Sequence, residues 1–229
     1  MIYTIRSVIS TTKCDVDVQD EILDILCRDI IDVITDEVSI MKKGKHYKQN
    51  IIIKSIKHFK TISKHKWEVG KMCFKCGLYK QGLLHDLSKF SRAEFIESVK
   101  YYQGTSSPID AEKKDKGYSY TWLHHKGRNP HHWEYWIDNL GTRENKPAEI
   151  PYKYVVEMIC DWIGAGKVYE GKNWTQKSPL NYYNRFKSER IFHPNTQKLI
   201  EKYLNDIANF GIDSFVTRVR HHKKMKELD

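Results

Sequence analysis

Gly82-Leu83-Leu84-His85-Asp86-Leu87-Ser88-Lys89 sets an imidazole beside a carboxylate within an apolar stretch. The spacing predicts a short helix over residues 81–90. On it His85 and Asp86 would point about 100° apart and still flank one ion. Asp86 would then have an oxygen left to bridge to a second. A lone His-Asp pair says little, so its neighbours matter. Upstream, His65 lies in mid-helix on an apolar stripe, on the same face as His58. Downstream come His124-His125 and His131-His132 on either side of a turn. Asp161 follows inside Val155-Val156-Glu157-Met158-Ile159-Cys160-Asp161-Trp162-Ile163. An acid within so apolar a helix is costly unless it is paired or bound to a metal. Metal sites need several free nitrogens and carboxylate oxygens converging from different elements, and this ordered series offers them.

The residues around this series have helical spacing. Ile52, Ile56, Phe59, Ile62, Trp67, Val69 and Met72 predict a helix from about 49 to 80, with Gly77 as its stop. Ser91 with Glu94 reads as a capping box for a helix reaching about Tyr102. The stretch from Gly104 to Gly117 reads as a surface loop, and 118–126 as helix. Gly127-Arg128-Asn129-Pro130 is a turn, with another helix expected near His131. Pro151 opens a helix expected to end at Gly164 or Gly166. Pro194-Asn195-Thr196 begins one that turns Leu199, Ile200, Tyr203, Leu204 and Ile207 inward and ends at Gly211. A last helix runs into the basic segment Arg218 to Lys224. The predicted fold class is all-α. Cys73-Phe74-Lys75-Cys76 sits within helix without a second cysteine pair, which favours a structural role.

Residues 1–45 read as an N-terminal appendage. It would comprise a short strand over 2–10, an acidic amphipathic helix over 18–38 and a linker, Lys42-Lys43-Gly44-Lys45. Residues 46–229 then form the helical domain with its basic tail.

At 229 residues, 40% hydrophobic and 30% charged, the chain suits one well-buried domain with an appended element. No run of 18 apolar residues exists, which excludes a membrane-spanning helix and makes a membrane partner unexpected. The first residues lack a basic region followed by an apolar one, and the five cysteines are odd in number. Both point to a cytoplasmic protein with reduced thiols. Net charge is +10, but residues 1–40 carry −6, leaving +16 on the remainder. Such a body favours an anionic, phosphate-bearing small molecule, with nucleic acid as a second class of partner.

On these residues the chain resembles the HD-domain superfamily of metal-dependent phosphohydrolases. More narrowly, it is similar to an uncharacterised HD-like group with a His-Asp-Leu-Ser-Lys signature and a paired-histidine segment. The resemblance spans roughly residues 50–165, or to 210 with the late helices. It implies an HD-like helical bundle with His65, His85, Asp86 and Asp161 as metal ligands. Members with extra histidines are usually dinuclear, which brings in His125 and His132, with His124 and His131 as alternates. The implied cofactor is one or two divalent ions among manganese, iron, cobalt, zinc and magnesium. The implied reaction is attack of metal-activated water on a nucleotide, cyclic nucleotide or related phosphoester. Asp86 and Lys89 are the catalytic candidates. Lys89, four residues after His85 on the expected helix, would bind a substrate phosphate, followed by Lys126 and Arg128 in the turn. Many nucleotidase members have a glutamate near the point where this chain has Lys89, which leaves phosphodiester or phosphoanhydride cleavage more open than that subtype. A few superfamily members hold two irons and oxidise small molecules, so a di-iron oxygenase is an alternative. Another is a nucleic-acid-binding protein with a non-catalytic metal site, stacking bases on Tyr118, Tyr120, Trp122, Trp133, Tyr135 and Trp136.

Overall fold

The computed structural model describes residues 45–138 and 144–226, with side chains over 51–138 and 144–222. The strand, the acidic helix and all but the last residue of the linker expected in 1–45 lie outside the described residues. The described fold is all-α, in nine helices: α1 (Lys45–Lys75), α2 (Tyr79–Leu84), α3 (Arg92–Tyr101), α4 (Pro108–Lys116), α5 (Tyr120–Lys126), α6 (Tyr152–Tyr169), α7 (Ser178–Phe186), α8 (Pro194–Phe210) and α9 (Ile212–Lys226). None of them is long and apolar enough to cross a membrane.

The long α1 and the apolar α6 form the central pair. α1 stops at Gly77, whose φ of 75° is open to glycine at little cost. Gly77 N–H bonds the Phe74 carbonyl and Leu78 N–H the Cys73 carbonyl, a Schellman ending that turns the chain into α2. Every side chain of α6 from Val155 to Ile163 is buried. Val69, Met72 and Cys73 of α1 pack with Val156, Ile159, Cys160 and Ile163 of α6. α8 and α9 close that core with Ile200, Leu204, Ile207, Phe215 and Val219. Cys76 joins it, so both cysteines of the Cys73–Cys76 pair are buried thiols within the core. Ile62, Phe90, Phe95 and Val99 make a smaller apolar cluster.

The close approach of α1 to α6 rests on Gly164. A Cβ there would lie 2.5 Å from Val69 Cγ2 and 3.1 Å from Val69 N. Gly164 and Gly166 are therefore contact positions inside α6, and the helix runs past both to Tyr169 instead of ending at either. Three other expectations change. Residues 108–116 are helix, because Ser107 accepts the Ile109 N–H, Pro108 suits the first turn and Gly117 closes the end at φ 79°. Beyond Pro108, the buried side chain of that helix is Glu112, bonded to Ser119 Oγ and Tyr120 N–H, so apolar spacing gave no signal. After His131 the chain makes a 3₁₀ turn, Trp133–Trp136, in place of the expected helix. A short antiparallel pairing of β1 (Ile137–Asp138) with β2 (Lys146–Pro147) follows. Finally, α7 was not anticipated from the sequence.

Candidate metal centre

Five elements deliver the cluster. α1 carries His65, α6 carries Glu157 and Asp161 four residues apart on one face, and α5 carries His124 and His125. The turn after Pro130 brings His131 and His132. The His85-Asp86 pair is positioned differently from the expectation of one helix over 81–90. α2 ends at Leu84, His85 is extended, and Asp86 takes a left-handed conformation at φ 55°, ψ 24° before a 3₁₀ turn, Leu87–Phe90. Aspartate tolerates that region better than most side chains. Lys66 secures the bend, its ammonium donating to the Leu83 carbonyl at 2.6 Å and the His85 carbonyl at 2.9 Å. Burial pushes the Lys66 pKa down to about 8, against the pull of Asp86 and Glu157.

This bend puts Asp86 at the centre. Its Oδ2 lies 3.2 Å from His65 Nε2 and 3.3 Å from His85 Nε2. Its Oδ1 lies 3.2 Å from His125 Nε2 and 3.3 Å from His131 Nε2. Asp161 Oδ1 completes the first side, 3.0 Å from His65 Nε2 and 3.5 Å from His85 Nε2. Ligand-type atoms converge within 4.8 Å in three groups. These are His65, His85, Asp86 and Asp161; Asp86, His125, His131 and His132; and His85, His131 and Glu157.

The outer ring of bonds fixes which nitrogen faces inward. Glu157 Oε1 accepts from Nδ1 of His85 at 2.9 Å and lies 3.1 Å from Nδ1 of His131. Glu94 Oε2 accepts from His125 Nδ1 at 2.8 Å, and its Oε1 accepts from His124 Nδ1 at 2.6 Å. Carboxylates on Nδ1 leave Nε2 as a lone pair, the usual arrangement behind metal-bound histidines. Nε2 of His85, His125, His131 and His132, together with Asp86 Oδ1, are buried without a hydrogen-bond partner. An unpaired buried polar atom costs about 1–3 kcal/mol. The approach of His125 and His131 to Asp86 Oδ1 offsets this only where the imidazoles carry protons, whereas a cation among these atoms would satisfy all five at once. The residues fit a divalent cation.

The electrostatics agree. Burial opposes charge on Asp86 and Asp161, yet the adjoining imidazoles, and Lys89 for Asp86, hold both well below the ordinary carboxylate range. Burial likewise opposes charge on His85 and His125, but Asp86 with the other carboxylates raises both. The pocket draws positive charge. His132 is pushed the other way, by burial and by His131 and His125 beside it.

Of the residues expected in the site, His65, His85, Asp86, His125, His132 and Asp161 converge. His131 converges with them, so both members of the second pair face the cluster. His124 does not join a ligand group; it is held on Glu94 with about a quarter of its side chain exposed. Lys89 bonds Asp86 Oδ2 at 2.5 Å from within the 3₁₀ turn, not from a helical face shared with His85. Lys126 and Arg128 do not line the cavity beside the cluster: His125 takes the inward position of that turn, and Arg128 Nη1 bonds the His124 carbonyl at 3.3 Å. Sequence reasoning missed Glu94, Glu157 and Lys66. The Glu157-to-Asp161 spacing on an apolar helix was the available signal. Glu94, expected as a capping partner, turns inward, and Ser91 Oγ makes no cap bond. Of the aromatics considered for stacking, Trp122 packs on His125 and His132. Trp133 and Trp136 pack against the core, while Tyr118, Tyr120 and Tyr135 are exposed.

A cavity of about 840 Å³ opens onto the cluster, lined there by His65, Lys89, His125, His131, His132 and Asp161. Fold and site together define an all-α protein with a buried His/Asp/Glu centre able to hold a metal ion. The chain belongs to the DUF5662 family, a family of unknown function, whose model matches residues 54–206 and so contains every residue of the centre. No curated protein and no solved structure matches the chain.

Proposed function

We propose that the protein is a metal-dependent phosphohydrolase whose centre would hold two divalent ions, with Asp86 among the residues that hold each. The carrying observation is that Asp86 Oδ2 faces His65 and His85 while its Oδ1 faces His125 and His131. One ion would take His65, His85, Asp86 and Asp161; the other Asp86, His125, His131 and His132. The order of these ligands along the chain is the one that the resemblance to the HD-domain superfamily implies. When bound, such ions lower the pKa of water toward 7 and neutralise developing phosphoryl charge.

The chain's own residues do the rest. Glu157 and Glu94 hold His85, His131 and His125 with Nε2 inward, so the ligands need little reorganisation. Lys89 places its ammonium in the cavity beside Asp86, where it is able to bind a phosphate oxygen. Its pKa lies above the usual lysine value, since Asp86 and Asp161 outweigh its burial, so it stays a cation throughout the neutral range. Asp86 serves as a ligand instead of a proton carrier. The cavity is in the size range of sites that enclose a nucleotide-sized ligand.

The test is turnover of bis(p-nitrophenyl) phosphate, p-nitrophenyl phosphate and a nucleotide panel by the full chain loaded with manganese. Metal-dependent release of product, abolished in His85→Ala and weakened in Lys89→Met, is the expected result. A chain carrying its ions that hydrolyses none of them would overturn the proposal. Oxygen consumption by the iron-loaded chain would then favour the di-iron oxygenase.

A further inference from the structure

The cavity that opens onto the metal centre is also lined by Trp162, Tyr182, Arg185 and Arg190, none of which belongs to the centre. Arg190 sits in the connection between α7 and α8, just after the 3₁₀ turn Lys187–Glu189. Its guanidinium carbon lies 4.8 Å from the ring centroid of Trp162, 4.8 Å from that of Tyr182 and 5.8 Å from that of Phe186. Rings packed on a guanidinium leave its N–H edge as the part able to recognise a partner, and that edge matches a phosphate or carboxylate. Nη1 is buried and has no hydrogen-bond partner. Among the described residues no carboxylate forms an ion pair with Arg190, although Glu134 and Glu189 line the same cavity. The guanidinium lies against three rings and Glu134 is near enough to feel its charge, yet Nη1 still lacks an acceptor, which a ligand in the cavity would supply.

We propose that Arg190 binds a second anionic group of the substrate, outside the metal centre. Resting on the reading of this cavity as a phosphoester site, that narrows the substrate class to small molecules carrying two separated phosphate groups. One phosphate lies at the metal centre beside Lys89, the other on the N–H edge of Arg190. Arg185, lining the same cavity, adds positive charge. Trp162 follows Asp161 in α6, so one helix links the two subsites. Arg190 is thus a specificity-determining residue and not a catalytic one.

The experiment measures binding of two pairs of probes to the full chain by calorimetry: adenosine 3′,5′-bisphosphate against adenosine 5′-monophosphate, and fructose 1,6-bisphosphate against fructose 6-phosphate. Metal content is measured on the same samples. The wild type is expected to prefer at least one bisphosphate by about 10- to 100-fold, the range of a charged hydrogen-bonded contact. Arg190→Gln should erase that preference and leave monophosphate affinity and metal content unchanged. Arg190→Lys, which keeps the stem and the charge without the fork, should retain part of it. It also serves as the test should the glutamine variant fail to fold. Equal preference in wild type and variants, or no preference in the wild type, overturns the proposal. An Arg190-dependent preference in protein that takes up no metal would keep this subsite and sink the phosphohydrolase reading, so the two failures are separable.

Discussion

α1 and α6 meet through two contacts made of opposite materials. At one, Val69 and Cys73 pack against Gly164 and Cys160, all fully buried and apolar in character. At the other, His65 meets Asp161 at 3.0 Å, with His85 and Asp86 alongside. The first stabilises the fold through dispersion and removal of apolar surface from water. The second places charge where burial disfavours it, and leaves four imidazole nitrogens and a carboxylate oxygen without hydrogen-bond partners. A helix pair held by the first contact alone would be as well packed. The second is an arrangement able to hold a metal ion, and the close apolar crossing keeps its residues in register.

The largest effect should come from Asp86, the carboxylate shared by both sides of the centre. Asp86→Asn keeps a side chain that tolerates the left-handed backbone and removes the charge, so the chain should stay folded and lose all bound metal. Elemental analysis beside a circular dichroism spectrum checks this. Retained metal would mean that the two sides do not depend on Asp86.

Glu157→Gln acts one shell out, on the bonds to His85 and His131. Metal affinity should fall by about 10- to 100-fold, measured by competition with a chelator, while the melting temperature of metal-free protein changes little. An unchanged affinity would make Glu157 a bystander.

The apolar contact is broken by Gly164→Ala, whose new Cβ meets Val69 Cγ2. Overpacking of this kind costs about 1–3 kcal/mol in denaturant unfolding. Val69→Ala in the same chain should recover part of the loss, since it removes the clashing methyl. Metal affinity should fall with Gly164→Ala and recover with the double variant if the crossing sets the ligand geometry.

The smallest effect concerns acid stability. His58 is buried against the Phe95 and Tyr102 rings, and burial, then Lys89, lowers its pKa from 6.5 to about 4. The unfolded chain therefore binds the proton first, and stability contributed by neutral His58 is lost as pH falls from 6.5 toward 4. Between pH 7.5 and 5 this amounts to about 2 kcal/mol. In His58→Phe the drop over that range should be smaller by about that amount in urea unfolding. An equal drop would place the acid sensitivity elsewhere.

Much of this was legible in the sequence, because apolar spacing reports helices and the order of His and Asp points to residues that converge. His65, His85, Asp86 and Asp161 fall together as that order suggests. What was hidden depended on backbone or polar detail. The left-handed turn at Asp86 lies within residues whose composition reads as continuous helix. Glu94 has the position of a capping residue, and only its rotation toward His124 and His125 reveals its role. α4 turns an acid inward, which no hydrophobic pattern reports. That His125 and not His124 faces inward, and that His131 and His132 both do, depended on the α5 turn and on the extended backbone at His132.

The most direct test of the central claim is metal content per chain, by plasma mass spectrometry, on full-length protein made without a histidine tag. Close to two equivalents of manganese, iron, cobalt or zinc are expected in the wild type and none in Asp86→Asn. A folded chain that remains metal-free when manganese and iron are supplied would contradict it.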